Sequence, residues 1–198
     1  MTMIAPAIVI AAGGAGRRMG GGKPLRPLAG HSLLDRAIAI AQAQSDCIAL
    51  AVRKPDQLPA SDLPLLCDAR PGIGPISALD SGFRFARAQG RQHLLLIGCD
   101  QPFLPGDLVA TLTAAIAGHD VAMPVINEHY QPLAALWRVD QPALDAYVQA
   151  GGTSLYRFAS TRDLIPLQWP NAPDDDPFAN LNDRDALADA ERRLTRPA

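Results

Sequence analysis

The chain has 198 residues, of which 48% are hydrophobic and 19% are charged, as expected for one globular α/β domain over residues 1–198 rather than a disordered protein. Its net charge of −2 provides no overall field for nucleic acid, and its three cysteines form no CxxC pair, which argues against a zinc site or a disulfide framework. With no signal-peptide pattern and no membrane-length apolar run, we expect a cytoplasmic protein that binds neither a membrane nor a nucleic acid.

The first predicted element is an apolar strand over residues 7–12, and a glycine-rich loop follows it. Backbone amides of glycines approach anionic groups closely, and basic side chains in the same loop add positive charge. The loop therefore predicts a site for the phosphates of a nucleotide. Its spacing fits neither the ATPase P-loop nor the dinucleotide fingerprint, and an ordinary flexible turn would not need its cations. The glycines of the loop are Gly13, Gly14, Gly16, Gly20, Gly21 and Gly22, and its cations are Arg17, Arg18 and Lys23.

Farther along the chain, apolar strands alternate with amphipathic helices. This alternation is typical of a mostly parallel sheet covered on both faces. Asp100 directly follows one predicted strand, and open α/β sheets bind ligands at the carboxyl ends of their strands. We therefore expect the glycine loop and Asp100 to face one crevice. The predicted elements are a helix from Ser32, strands 48–52 and 63–67, a helix from Pro75 to Gly90, strand 93–98, helix 106–117, strands 121–125 and 133–137, helices 143–149 and 183–194, and a mobile loop 170–177.

Charge alone suggests roles for three side chains. Transfer of a nucleotidyl group brings two polyanions together, so their repulsion must be screened. Asp100 is the predicted ligand of a magnesium ion, and Lys23 is predicted to stabilise charge on the α-phosphate. Arg18 and the loop amides are predicted to hold the two phosphates that leave as pyrophosphate.

Four segments, in this order along the chain, resemble sugar-nucleotide-type nucleotidyltransferases and most closely the molybdenum cofactor guanylyltransferases. The resemblance implies a Rossmann-like three-layer α/β/α sandwich of the nucleotide-diphospho-sugar transferase type. It also implies a magnesium-dependent reaction that transfers GMP from GTP to the phosphate group of molybdenum-loaded molybdopterin and releases pyrophosphate. The segments are residues 11–20 with Lys23-Pro24-Leu25, Asp68 ahead of Gly74-Pro75-Ile76, residues 98–105 around Asp100, and residues 178–187.

The resemblance also implies which residues bind each substrate. Asn180 and Asn182 match two asparagines near the acceptor, although either of them, or Asp183, would also suit the cap of the last helix. Whether Asn182 is a second metal ligand stays open, since an amide oxygen can bind a cation or a pterin. The predicted nucleotide-binding residues are Ala11, Ala12, Gly13, Gly14, Gly16, Lys23, Val52, Asp68 and Asp100.

Two departures from the family pattern leave alternatives open. Val52 stands where the guanylyltransferases carry a base-reading asparagine, and a valine cannot replace the hydrogen bonds of an amide. A CTP-dependent molybdenum cofactor cytidylyltransferase, or another small-molecule nucleotidyltransferase, is therefore the alternative. Asp80 and Ser81 also interrupt the small apolar run expected after Pro75. A rival of another class is a noncatalytic module that binds the nucleotide or cofactor and delivers it to a molybdoenzyme partner or its chaperone.

Overall fold

The structure is a computed structural model, and it describes residues 4–14, 22–59, 61–68, 70, 72–170 and 176–195. Two of the predicted site residues, Gly16 and Arg18, lie outside the described residues. The same is true of residues 171–175, most of the loop that we predicted to be mobile. The predictions for these residues therefore stay predictions.

The strands alternate with helices along the chain, as the apolar pattern predicts. The strands at residues 7–11 and 48–52 consist entirely of apolar residues, and the strand at 93–98 does so after its first residue, which is typical of strands buried on both faces. The strands are β1 (Ala7–Ala11), β2 (Pro27–Leu28), β3 (His31–Ser32), β4 (Ile48–Val52), β5 (Leu65–Cys67), β6 (His93–Gly98), β7 (Val121–Ile126), β8 (His129–Tyr130), β9 (Ala134–Arg138) and β10 (Leu164–Gln168).

The helices begin at residues that suit helix starts. Ser32 caps the first helix in a reciprocal arrangement with Asp35, and Pro75 occupies the first turn of the second. No helix in the described part of the chain is long and apolar enough to cross a membrane. The helices are α1 (Leu33–Gln42), α2 (Pro75–Ala88), α3 (Leu108–Ala115), α4 (Gln141–Gln149), α5 (Leu155–Ala159) and α6 (Arg184–Thr195).

One sheet contains most of the strands, in the order β10, β7, β9, β6, β1, β4, β5. Strand β1 pairs in parallel with β4 and with β6, whereas β9 runs antiparallel to both β6 and β7. The predicted mostly parallel sheet is confirmed. The apolar pattern did not predict α5 or β10. Pro166 lies inside β10, and a proline is tolerated there because β10 is the last strand of the sheet.

The core lies on both faces of the sheet. In β1, Ile8 and Ile10 join one apolar cluster with residues of α1 and α3, while Ala7 and Val9 join a second cluster with residues of α2. Successive side chains of a strand point to opposite faces, so one short strand contributes to both clusters. This arrangement is a three-layer α/β/α sandwich.

Helix α2 packs closely on the sheet because it carries a glycine where it crosses β1 and β6. A Cβ atom on Gly82 would lie 2.7 Å from Leu94 Cδ2 and 3.3 Å from Val9 Cγ2. Gly82→Val should therefore lower the free energy of unfolding by about 1–3 kcal/mol through overpacking. Urea denaturation measures this change.

The matched control for that measurement is Gly106→Ala, because a Cβ atom on Gly106 would contact nothing within 4 Å. We expect this variant to unfold within about 0.5 kcal/mol of the parent, as a surface substitution does. Equal losses in the two variants would contradict the close packing of α2 on the sheet.

Candidate active site

The candidate site lies at the carboxyl ends of the central parallel strands. From β1 the chain reaches β4 and β5 on one side, and α2 then carries it across to β6 on the other side of β1. Such a reversal of strand order opens a crevice at the carboxyl edge of the sheet, where α/β proteins bind ligands. Gly13, Asp68 and Asp100 follow three of these strands and therefore meet at this edge.

Lys23 connects the glycine loop to two distant segments. Its ammonium donates hydrogen bonds to Asp100 Oδ2 at 2.5 Å and to Asn182 Oδ1 at 2.8 Å. Both charged side chains are largely buried, with 10% of Lys23 and 16% of Asp100 exposed. A hydrogen bond between two charged groups is stronger than one between neutral groups, and little water screens this pair. The structure thus brings together Lys23, Asp100 and Asn182, so the lysine that closes the glycine loop lies beside Asp100, as expected, while the crevice shared by the rest of the loop stays a prediction.

The turn after β6 holds Asp100 through its neighbours. The buried Gln101 accepts a hydrogen bond from Gly98 N at 2.8 Å, and Leu181 N donates to the Asp100 main-chain oxygen at 3.0 Å. A Cβ atom on Gly98 would lie 2.5 Å from Asp100 Oδ1, so a side chain at this position would displace the Asp100 carboxylate. The segment that carries Asn182 is therefore attached directly to the segment that carries Asp100.

Asn182 is available to Lys23 because another residue caps α6. Asp183 Oδ1 accepts a hydrogen bond from Ala186 N at 2.9 Å, which is the bond of a helix cap. The cap that the sequence allowed for Asn180, Asn182 or Asp183 thus belongs to Asp183. Asn180 is exposed.

A second part of the crevice lies between the ends of β1 and β4. Gln57 donates a hydrogen bond from Nε2 to Ala12 O at 2.8 Å, and its Oε1 accepts one from Arg53 N at 2.9 Å. The side chains of Arg53, Lys54 and Gln57 line a cleft of about 330 Å³ beside Gly13. Sequence reasoning did not identify Gln57. The only local signal was a polar, proline-containing turn after a buried strand.

Val52 does not present its side chain to this cleft. It is fully buried in the apolar cluster that contains Ile8 and Ile10, and its main-chain oxygen accepts a hydrogen bond from Asp68 N at 3.0 Å. Ala12 is buried in the same cluster, whereas Ala11 is half-buried at the end of β1. Any contact of Val52 with a nucleotide would thus involve the backbone around it. The predicted nucleotide-binding role of Val52 stays a prediction.

Two side chains at this edge have raised pKa values. Burial raises the pKa of the Asp68 carboxyl, and Ser77 and Arg53 act in the opposite direction. Burial, followed by the charge of Asp100, raises the pKa of the Cys99 thiol to about 12. Cys99 is therefore an uncharged packing residue at neutral pH, while an ionised Asp68 is held at an energetic cost.

Comparison with known proteins identifies relatives over nearly the whole chain. The family model described as MobA-like NTP transferase domain matches residues 8–164. A molybdenum cofactor guanylyltransferase of Rhodobacter capsulatus is 39% identical over 96% of this chain and 97% of its own length. Another, of Bradyrhizobium sp. (strain ORS 278), is 34% identical over 96% of this chain and 93% of its own.

Two solved structures share the fold at low identity. The molybdopterin-guanine dinucleotide biosynthesis protein A of Archaeoglobus fulgidus aligns over 96% of this chain and 98% of its own, with a TM-score of 0.78 and 19% identity. The 2-C-methyl-D-erythritol 4-phosphate cytidylyltransferase of Thermus thermophilus aligns over 96% and 99%, with a TM-score of 0.69 and 14% identity. Both support the predicted fold class, the nucleotide-diphospho-sugar transferase type.

The three thiols should differ sharply in reactivity. Cys67 is exposed, whereas Cys47 and Cys99 are buried and burial raises the pKa of both. Because the thiolate is the reactive form, one thiol per chain should react rapidly with a disulfide reagent at pH 8, and three should react in denaturant. Cys67→Ser should remove the rapid phase, and Cys47→Ser should leave it unchanged. A rapid phase of two or more thiols would contradict this placement.

The raised pKa of Asp68 has a consequence for stability. A carboxyl whose pKa is higher in the folded state stabilises the fold when protonated, and this contribution is lost as pH rises through the folded pKa. At pH 7 Asp68→Asn should therefore keep or increase the free energy of unfolding. The gain should shrink as pH falls toward 3.8, the ordinary pKa of the carboxyl. Urea denaturation at several pH values measures it, with the exposed Asp62→Asn as the matched control. A loss of stability at pH 7 would contradict the assignment.

Proposed function

The chain belongs to the family of MobA-like NTP transferase domains, and on that basis we propose that it transfers GMP from GTP to the phosphate of molybdopterin that carries molybdenum, releasing pyrophosphate. The observation that carries the proposal is the meeting of Lys23, Asp100 and Asn182 beside the glycine loop. The relatives that share about a third or more of their residues with this chain, over nearly their full lengths, are named for this reaction.

The arrangement suits the attack of one phosphate on another. Both substrates are anionic, and in-line displacement needs them close together with their charges compensated. Lys23 is the cation that the structure places at the carboxyl edge of β1 and β6, and its ammonium is already held between two oxygens. When it contacts the α-phosphate, it stabilises charge that develops as the new bond forms. In our proposal, Arg18 and the loop amides, including that of Gly16, hold the β- and γ-phosphates.

Asp100 and Asn182 fit a magnesium ion. Carboxylate and amide oxygens are ligands that this hard cation accepts, and both oxygens already converge on the single ammonium of Lys23. No group of three or more His, Cys, Asp or Glu residues converges in the described part of the chain. One or two protein ligands suffice, because magnesium in nucleotide sites keeps most positions for water and phosphate. When bound, magnesium would neutralise phosphate charge.

The two substrates occupy different parts of the crevice in this proposal. Gly13, Gly14 and Asp68, with Ala11 and Ala12, form the nucleotide side between β1 and β5. Asn180 and Asn182 form the acceptor side next to α6. Lys23 and Asp100 stand between the two sides, where the phosphates must meet. The whole chain acts as a single catalytic domain, and the expected cytoplasmic location and delivery of the product to molybdoenzymes remain predictions.

GTP is the nucleotide that we propose, despite the absence of the family's base-reading asparagine. The side chain of Val52 lies in the core, so a valine there leaves the cleft itself unchanged. Gln57 and the backbone that it holds supply polar groups in the same region. CTP is the second candidate, because those same groups could pair with cytosine.

The test is pyrophosphate release with molybdenum-loaded molybdopterin, magnesium and each of GTP, CTP, ATP and UTP in turn. We expect turnover with GTP and its loss when chelator removes the metal. Turnover with CTP alone would make the chain a cytidylyltransferase. Binding of nucleotide without turnover of any of the four would support the noncatalytic delivery module instead.

Asp100→Asn should lower kcat/KM on the order of 10²–10³-fold, since it removes the carboxylate charge that, in our proposal, holds magnesium beside the reacting phosphates. Lys23→Met should have an effect of similar size. Asp62→Asn, at an exposed loop position, is the matched control and should retain full activity. Circular dichroism and urea denaturation check that each variant is folded. A folded Asp100→Asn variant with normal turnover would contradict the assignment of the site.

A further inference from the structure

Asp80 is a charged residue in the core of the molecule. It lies on α2, its side chain is 0% exposed, and its neighbours on the helix are largely apolar. Burying an ionised carboxylate costs several kcal/mol unless it is paired and hydrogen-bonded. Asp80 is also one of the two residues that depart from the small apolar run expected after Pro75. A departure this costly calls for a physical reason.

The partners of Asp80 come from three parts of the chain. Its Oδ1 accepts hydrogen bonds from Gln141 Nε2 at 2.6 Å and from Arg84 Nη2 at 3.1 Å and Nε at 3.2 Å. Its Oδ2 forms an ion pair with Arg70 Nε at 4.0 Å and accepts no hydrogen bond from the described residues. Arg70 also donates a hydrogen bond to Asp145 Oδ1 at 2.9 Å. We call these five residues the Asp80 cluster.

The members of the Asp80 cluster connect different parts of the chain to one another. Arg84 lies one turn after Asp80 on the same helix and also reaches Asp145 Oδ1 at 3.4 Å, so it links α2 to α4 and not to the segment before α2. Gln141 and Asp145 attach α4 to α2. Arg70 alone belongs to neither helix, because it lies in the segment between β5 and α2. Its contacts with Asp80 and Asp145 therefore attach that segment to both helices.

Apart from the interactions of the Asp68 carboxyl with Ser77 and Arg53, main-chain hydrogen bonds hold the two ends of the segment from Asp68 to Gly74. Asp68 N donates to Val52 O at 3.0 Å at one end, and Gly74 O accepts from Ser77 N at 3.0 Å at the other. Between them Gly72 adopts a φ of 91°, and Gly74 itself one of 76°, values that favour glycine. Arg70 supplies a side-chain attachment between the two ends of this segment, and its contacts therefore bear on where Asp68 lies.

We propose that Asp80 is a positioning residue for the candidate active site: together with Asp145, which accepts the hydrogen bond of Arg70, its buried charge holds Arg70, and through Arg70 it fixes the segment that presents Asp68 at the carboxyl edge of the sheet. The effect on catalysis rests on the nucleotidyltransferase function proposed above. Neither Asp80 nor Arg70 touches the nucleotide in this proposal. Asp68 supplies the contact, and the Asp80 cluster sets its position.

The first test is Arg70→Gln, because 30% of the Arg70 side chain is exposed and Asp80 keeps Arg84 and Gln141 in that variant. We expect a folded protein whose kcat/KM for GTP falls by roughly tenfold or more, since small misplacements of binding groups are costly. Arg87→Gln, which replaces an exposed arginine of the same helix as Asp80, is the matched control and should behave as the parent. Asp80→Asn should repeat the Arg70→Gln result if it folds.

A double-mutant cycle separates positioning from a general structural effect. If Arg70 acts through Asp68, Arg70→Gln should cost little further activity in a chain that already carries Asp68→Asn. Equal losses from Arg70→Gln in the parent and in the Asp68→Asn background would overturn the proposal. A folded Arg70→Gln variant with normal kcat/KM would overturn it as well.

Hydrogen exchange provides a readout that needs no turnover. The amide of Asp68 should exchange several-fold faster in Arg70→Gln than in the parent or in Arg87→Gln, because its segment has lost an attachment. If the parent protein turns over no nucleotide, the proposed function fails, and the exchange rates alone then decide the positioning role. Unchanged exchange at Asp68 in Arg70→Gln would overturn that role.

Discussion

The position of β1 between β4 and β6 is the constraint from which the rest of the molecule follows. Its main chain is hydrogen-bonded on both edges, and its alternate side chains enter both halves of the core. Because both neighbours run parallel to it, their carboxyl ends lie beside its own. The residues after β1 and β6 must then meet at one edge, which is how Lys23 comes to contact Asp100, 77 residues farther along the chain. A helical crossover between β5 and β6 makes this reversal possible.

Much of this framework could be predicted from local sequence. Strands β4 and β6 are buried on both faces, so each one appears in the sequence as an apolar run. The bounds predicted from these runs, 48–52 and 93–98, are the bounds of the two strands. The direction of β9 could not be predicted in this way, because an antiparallel strand among parallel ones has the same apolar pattern as its neighbours. Strand β10 was missed since its proline and its half-exposed residues do not form an apolar run. Its pairing with β7 is a tertiary contact that local propensity cannot show.

In the candidate site, too, some residues could be predicted from local sequence and others could not. The sequence predicted three of its residues from recognisable segments, namely Lys23, Asp100 and Asn182. Only the fold shows that the side chains of Asp100 and Asn182 both accept hydrogen bonds from the Lys23 ammonium. Gln57 and Arg70 have no such segment, and their importance depends on contacts with distant backbone and side chains. The nucleotide-binding role of Val52 rests on its motif position alone and stays a prediction, because the alternation of β4 turns its side chain toward the core. Asp80 looked like an irregularity in an apolar run and proves to be the centre of a buried polar group.

The attachment of the Asn182 segment to Asp100 gives the site an order of assembly during synthesis. Translation produces the Lys23 turn first and the Asp100 turn next, and the segment with Leu181 and Asn182 is made only after every strand of the sheet. A nascent chain that has been made through β10 already contains both partners of the ion pair between Lys23 and Asp100. It still lacks the amide oxygen that completes the three-residue contact. The candidate site is thus completed by the segment that leads into the last helix, and a chain interrupted before that segment would contain every strand of the sheet without the complete site.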